Sequence, residues 1–362
     1  MSAYPEMPVY FVVPDAIDDP DRVSGGNVYD QHVRDGLRSS GWDVRMVLIP
    51  DGCGSLTAQT LTQLPDGALM LIDGLIAVRE SAALIAHSSR LRIVVLAHMV
   101  ASLLPCDSLA EATQGVASVE SEREALRAAK RIIVTSGWTR SELISSDLAE
   151  PHDVVVAHPG TDPAATTVAS GSGGRLLCVG VVAPHKGQDL LLRALARLTD
   201  VDDWTCRLVG SLDAAPGFVD ELRQIIRRTH LTTRATFTGT LAGRLLESAY
   251  SRADLVVVPS RNESFGMVVA EALARGIPVV AARVGGIPEA ISSRAAGILV
   301  PPEDPWAFEV VLRQWWASPG RRTELKAGAV EAREMARPWS ATIAVIASTL
   351  NEVALSGTAV SA

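Results

Sequence analysis

Twelve short apolar runs rich in β-branched residues, separated by longer amphipathic stretches, constrain the fold of this 362-residue chain more than any other feature. In the first half they are VYFVV (9–13), VRMVLI (44–49), ALMLI (68–72), RIVVLA (92–97), RIIVT (131–135) and VVVA (154–157). In the second half they are RLLCVGVV (175–182), WTCRLVG (204–210), ATFTG (235–239), LVVVP (255–259), PVVAA (278–282) and GILV (297–300). Alternation of this kind is the pattern of parallel strands joined by crossover helices. Near-continuous apolar runs suit strands covered on both faces. Each half therefore predicts one doubly wound parallel sheet, so the fold class is α/β, with two Rossmann-like domains facing across a cleft. The length fits two domains, each able to bury its own core. AATTVASGSGG (164–174) has no periodic apolar positions and reads as a linker. The predicted division is 1–163, the linker, 175–338, and a C-terminal helix within 339–362 that returns toward the first domain.

Charge separates the halves and excludes whole classes of function. Residues 1–162 carry 12 Lys+Arg against 22 Asp+Glu, a balance of −10, and residues 163–362 carry 21 against 19, or +2. A nucleic-acid partner calls for a basic face, and the first half is the reverse. The longest uncharged apolar run, Ile93–Cys106, has 14 residues, below the ~18–20 that span a bilayer, so no membrane helix is expected. The opening MSAYPEMPVYFVVPD lacks a basic segment and a small-residue cleavage site, and the expected location is cytoplasmic. Cys53, Cys106, Cys178 and Cys206 show no ligand or C-x-x-C spacing and are expected to be free thiols. Only Lys130, Lys186 and Lys326 are lysines among 33 basic residues, so the place of each is informative.

In open α/β sheets ligands bind beyond the carboxyl ends of the strands, which directs attention to the loops there. PSRNESFGMVVAEALARGIPVV (259–280) leaves a strand at Pro259, carries Glu263 in the loop, and opens a helix at Gly266 that contains Glu271. Two glutamates at that spacing would by themselves read as a loop carboxylate and a helix ion pair. Between them, however, the amides near Phe265, Gly266 and Met267 form a helix N-terminus, which favours an anionic group such as a diphosphate, and Gly266 admits it close to the backbone. Together with Gly-x-Pro-Val-Val and VGGIPE (284–289), this stretch resembles the donor-site signature of retaining glycosyltransferases of family 4, which have the two-Rossmann (GT-B) fold.

Further matches follow in the same order along the chain. Ser24–Gly25–Gly26, alone a simple turn, resembles that family's first glycine loop. His98, alone a structural strand-end histidine, falls where the family places a histidine facing the donor sugar. SGWTRSEL (136–143) resembles its Ser-x-x-Thr helix start, with Ser136 or Thr139 as N-cap and Glu142 at capping-box distance from Thr139. HPGTD (158–162) stands at the hinge in place of Pro-Asn-Gly-x-Asp. VGVVAPHKGQDLLLRAL (179–195) resembles the first strand, phosphate loop and helix of the donor domain, with Lys186 placed to neutralise a diphosphate. One departure is Val181, where the family commonly has an arginine. The resemblance is specific over 175–300 and looser over 1–160.

The resemblance implies a retaining, hexosyltransferase-type enzyme that moves a sugar from an NDP-sugar to a small soluble acceptor, without a cofactor. Catalytic roles fall to His98, Lys186 and Glu263, and donor binding to Gly25, Gly26, Ser264, Phe265, Gly266, Met267 and Glu271, with Glu263 on sugar hydroxyls and Glu271 on the ribose. Asp19–Pro20–Asp21 and Asp200–Val201–Asp202 read as solvated turns, not metal–nucleotide sites, so no metal is expected. No Walker A sequence or Gly-x-Gly-x-x-Gly opens either half, which removes the main support for kinase and dehydrogenase readings. A GT-B sugar-nucleotide epimerase and a non-catalytic NDP-sugar-binding subunit are the rivals. The basic stretch SEREALRAAKR (121–131) interleaves Glu120, Glu122 and Glu124 with its cations, and pairs such as Glu124–Arg127 predict a solvated helix with no stable membrane association and a neutral or cationic acceptor.

Overall fold

Two six-stranded sheets, parallel throughout, carry the chain in a computed structural model that describes residues 7–20, 22–50, 54–103, 118–291, 293 and 295–356. The first contains β1 (Val9–Pro14), β2 (Val44–Ile49), β3 (Leu69–Asp73), β4 (Arg92–Ala97), β5 (Arg131–Val134) and β6 (Val154–Val156), in the order β2-β1-β3-β4-β5-β6. The second contains β7 (Arg175–Val179), β8 (Thr205–Val209), β9 (Ala235–Gly239), β10 (Leu255–Val258), β11 (Val279–Ala282) and β12 (Gly297–Val300), in the order β12-β11-β10-β7-β8-β9. Every predicted run forms a strand. The seventh stops at Val179 instead of Val182, where Gly180 turns to a φ of 145°.

Parallel neighbours cannot be joined by tight turns, so each strand returns through a crossover. The two-period of the strands divides the first sheet between two cores. Val9, Phe11, Val13, Leu69 and Leu71 pack on one side, and Val12, Met70, Ile72, Ile93 and Val95 on the other. β3, β10 and β11 are buried along their whole length.

The strand order also locates the ligand-binding edge of each sheet. The winding direction reverses between β1 and β3 in the first sheet and between β7 and β10 in the second, and at such a switch point neighbouring loops diverge and leave a crevice. The loops leaving β7 and β10 are those that hold Lys186 and Glu263.

Contacts divide the chain into two units. One comprises Met1–Asp19, Gly25–Gly160 and Trp339–Ala362, and the other Pro20–Ser24 and Thr161–Pro338. The helix Trp339–Ser356 is part of the first unit, where Ile343, Ile346 and Leu350 join the core that contains Val9 and Phe11. The stretch 164–174 is fastened along the second unit and is no free tether. Buried Asp254 accepts from the Ser170 amide and hydroxyl, both at 2.6 Å, Lys326 donates to the Thr167 carbonyl at 2.7 Å, and Trp315 to that of Gly173 at 2.8 Å. Among the described residues no helix is long and apolar enough to cross a membrane.

Candidate active site

In the second unit the chain leaves β7 through a 3-10 turn, Pro184–Lys186, and enters the helix Gln188–Leu195 through Gly187 at a φ of 66°. A Cβ on Gly187 would lie 2.1 Å from the Pro259 carbonyl oxygen, so this position must be glycine for the β7 and β10 loops to touch. The loops are also stitched together by hydrogen bonds. The amides of Arg261 and Asn262 donate to the His185 carbonyl at 2.8 and 3.3 Å, and the Arg261 guanidinium to the Pro184 carbonyl at 2.7 Å. The result places the Lys186 ammonium 2.6 Å from Glu263 Oε2, with the Ser260 hydroxyl donating to the same oxygen at 3.4 Å. Both charged side chains keep about a fifth of their surface exposed, 23% and 19%.

Three basic side chains occupy these loops, and their environments separate their roles. Arg261 is committed: it forms a two-pronged pair with Asp189 at 2.7 and 2.9 Å and a third contact with Glu303 at 2.6 Å. It therefore does not stand in for the arginine absent at Val181. His185 is neutral, since burial and then the neighbouring Lys186 push its pKa down to about 4, and its buried Nδ1 has no hydrogen-bond partner. Lys186 remains as the cation available to a ligand, because an ammonium has three N–H donors and Glu263 takes one.

The helix Met267–Ala274 starts at Gly266, at a φ of 96°, with no side-chain cap, so its first amides receive no side-chain oxygen. The Phe265 side chain is buried with Val269 and Ile287, which leaves only its backbone to face the loop mouth. Ser264 presents its carbonyl to Gly286, where an added Cβ would lie 2.2 Å from that oxygen. Glu271 is joined to a different partner from Glu263. The Tyr250 hydroxyl donates to its Oε2 at 2.6 Å, and the Arg275 guanidinium lies 4.4 Å over the Tyr250 ring. Burial raises the Glu271 carboxyl above its ordinary value, against the lowering hydrogen bond from Tyr250.

In the first unit Gly25 and Gly26 begin the helix Gly25–Ser39, whose start is tied to the preceding turn by Asn27 donating to the Ala16 carbonyl at 3.2 Å and Gln31 to that of Ile17 at 2.6 Å. His98 follows β4 and is enclosed by residues the sequence reading passed over. Its Nε2 lies 2.9 Å from Asp30 Oδ1 and 3.7 Å from Asp73 Oδ2, and Tyr29 packs edge-on at 5.3 Å. Asp73 Oδ1 accepts from the Leu75 and Ile76 amides as N-cap of the helix Gly74–Arg79, and the 2.9 Å contact between His98 and Asp30 is a hydrogen bond. Both aspartates carried a sequence signal. Asp73 ends an apolar strand run, and Asp30 sits on the buried face of an amphipathic helix beside Tyr29 and Val33.

Other expectations are resolved locally. Ser136, not Thr139, caps the helix Gly137–Ser145, accepting from the Thr139 amide at 3.0 Å. In the helix Val119–Arg127 the pair formed is Glu120–Arg123, whereas Glu124 accepts from Ser81 and buried Glu122 accepts from the amides of Ala101 and Ser102. Asp200 is bound to Arg313 at 2.7 Å, and Asp21 lies outside the described residues. Cys178 and Cys206 are buried free thiols, while Cys53 and Cys106 also lie outside them.

The second unit's motifs agree with known sequences. The family model described as Glycosyl transferases group 1 matches residues 169–331. That stretch is a group 1 glycosyltransferase domain. A D-inositol 3-phosphate glycosyltransferase of Kineococcus radiotolerans is 33% identical over 258 residues, covering 64% of this chain and 59% of its own length. One of Streptosporangium roseum is 36% identical over 252 residues, covering 64% and 57%. The chain thus spans somewhat more than half the length of these relatives. Among solved structures, a sucrose-phosphate synthase from Thermosynechococcus elongatus aligns with a TM-score of 0.80 at 20% identity, over 97% of this chain and 100% of the other. Anabaena HepE, in complex with UDP and glucose, aligns at 0.72 and 20%, over 95% and 99%. Such likeness establishes the GT-B fold for this chain.

Proposed function

We propose that this chain is a group 1 glycosyltransferase that moves a sugar from an NDP-sugar to a small soluble acceptor with retention of anomeric configuration and without a metal ion. The observation that carries the reading is the Lys186–Glu263 contact at 2.6 Å, at the switch point of the second sheet and beside the uncapped N-terminus of the helix Met267–Ala274. Breaking the anomeric C–O bond develops positive charge on the sugar and negative charge on the departing diphosphate. The ammonium of Lys186 and the amides near Phe265–Met267 meet that negative charge without reorganising, which is where electrostatic catalysis is most effective. Glu263 keeps Oε1 for sugar hydroxyls, and Glu271 keeps Oε1 for the ribose. We assign no side chain of these loops as a nucleophile and infer same-face attack, with the leaving phosphate taking the acceptor proton.

We place the acceptor on the acid-rich first half, where 22 Asp+Glu against 12 Lys+Arg over residues 1–162 favour a neutral or cationic molecule, such as a polyol. The relatives' name supports a second acceptor, D-inositol 3-phosphate. The test is proton NMR of reactions that pair UDP-, GDP-, ADP- or dTDP-sugars with neutral polyols or inositol 3-phosphate, with and without EDTA. The expected outcome is a product that keeps the donor's anomeric configuration, at a rate within about twofold in EDTA because the protein supplies the cationic charge. An inverted product, or complete loss in EDTA restored by manganese, would refute the corresponding part. Conversion of the donor sugar itself with no acceptor present would establish the epimerase.

A further inference from the structure

Asp30, Asp73 and His98 meet at the switch point of the first sheet: Asp73 ends β3, His98 follows β4, and Asp30 lies in the helix entered after β1. All three side chains are almost entirely buried, at 1%, 7% and 9% exposure. Two carboxylates without a counter-charge would be costly in such a place, and among the described residues no arginine or lysine pairs with either. The imidazole is the group that meets both, through one nitrogen. Nε2 must carry its proton to donate to Asp30, and Nδ1 has no partner among the described residues.

We propose that Asp30 and Asp73 hold His98 as an imidazolium, so that this histidine presents Nδ1–H as a fixed donor to a neutral hydroxyl of the substrate and does not act as a base. The proposal rests on the reading of His98 as a substrate-touching group and makes Asp30 and Asp73 positioning residues. Burial by itself would lower the His98 pKa, and the charge and hydrogen bond of Asp30, with the charge of Asp73, reverse that and raise it. Tyr29, the other titratable group against the ring, stays neutral because burial drives its phenol far up. Two carboxylates and one imidazolium leave the cluster with a single net negative charge. A phosphate oxygen at Nδ1 is therefore opposed by the cluster as a whole, whereas a sugar or polyol hydroxyl gains the hydrogen bond without that repulsion.

The full chain labelled with nitrogen-15 histidine tests this directly, with the His98 signal assigned by its loss in His98→Gln. The expected result is both ring nitrogens protonated at pH 7.5 and titration above the ordinary value of 6.5. Asp73→Asn removes a charge while an asparagine still caps the helix Gly74–Arg79, and Asp30→Asn keeps an acceptor for Nε2. Each should lower the pH at which His98 titrates and shift the alkaline limb of kcat/KM down with it. His98→Gln should cost about tenfold or more in kcat/KM. A neutral single tautomer in the wild-type chain at pH 7.5, or folded Asp30→Asn and Asp73→Asn chains with an unmoved His98 titration, would overturn the proposal. An imidazolium in a chain that transfers no sugar would refute the functional reading and leave the charge state standing.

Discussion

Replacing Gly286 with alanine tests whether the loop of Glu263 is held in place from behind. Gly286 has an ordinary φ of −83°, so the substitution brings no backbone strain of its own, and its whole effect comes from the new carbon. That carbon would lie 2.2 Å from the Ser264 carbonyl oxygen and 2.8 Å from the Phe265 Cα, both backbone atoms that no rotamer change can move aside. Real Cβ contacts stay beyond 3.0 Å, so Ser264 must retreat by at least 0.8 Å. The Gly286 amide also donates to the Glu263 carbonyl at 3.0 Å, so the retreat carries Glu263 with it. A displacement near 1 Å at a positioning loop costs about 100-fold in rate, and overpacking costs about 1–3 kcal/mol in stability. The expected outcome is therefore a Gly286→Ala chain that folds, unfolds at a lower temperature, and turns over donor about 100-fold more slowly. Gly217→Ala is the control, since nothing lies within 4 Å of a Cβ there. Turnover in Gly286→Ala within about threefold of wild type would refute the claim that this contact fixes the catalytic loop.

Glu263→Gln should lower kcat by at least about 100-fold in steady-state kinetics, because a charge-assisted contact is lost where it matters most, in the transition state. Its nucleoside diphosphate affinity by calorimetry should be unchanged or higher, since Lys186 loses a competing carboxylate; parallel loss of binding and turnover would contradict the division of roles. His185 supplies the pH prediction: its folded pKa of about 4 lies below the ordinary 6.5, so the unfolded chain binds the extra proton and stability falls as pH drops from 6.5 toward 4. The gap corresponds to about 3 kcal/mol, and denaturant unfolding of His185→Gln should lack that part of the acid loss; identical profiles for both chains would show that His185 is not held neutral.

The strands were legible because parallel strands buried on both faces must be nearly continuous in apolar residues, and β10 and β11 meet that demand at every position. The Lys186 and Glu263 loops were legible because glycines and charged groups at strand ends carry a local signature. What escaped was pairing across long sequence separation. Asp30, Asp73 and His98 come from three elements, and a buried acid in one helix does not announce its partner 68 residues away. Tyr250 carried no signal of its own, and only the packing of its helix brings the hydroxyl onto Glu271. Glu122 was read as solvated because helix periodicity does not show that Ala101 and Ser102 need an acceptor. The fastening of 164–174 escaped for a related reason: small polar residues suit a linker, and its sequence does not show that Asp254, Lys326 and Trp315 bind its backbone.

The central claim, that the second unit is a nucleotide-sugar site whose diphosphate is met by Lys186, is tested most directly by calorimetry on wild-type and Lys186→Ala chains. Each is titrated with UDP, GDP, ADP and dTDP and with the matching nucleosides. At least one diphosphate should bind wild type, Lys186→Ala should weaken it by about 10–150-fold, and the nucleoside should be affected by no more than about twofold, as loss of a charge-assisted contact requires. No binding of any diphosphate by wild type, or equal losses for diphosphate and nucleoside in Lys186→Ala, would contradict it.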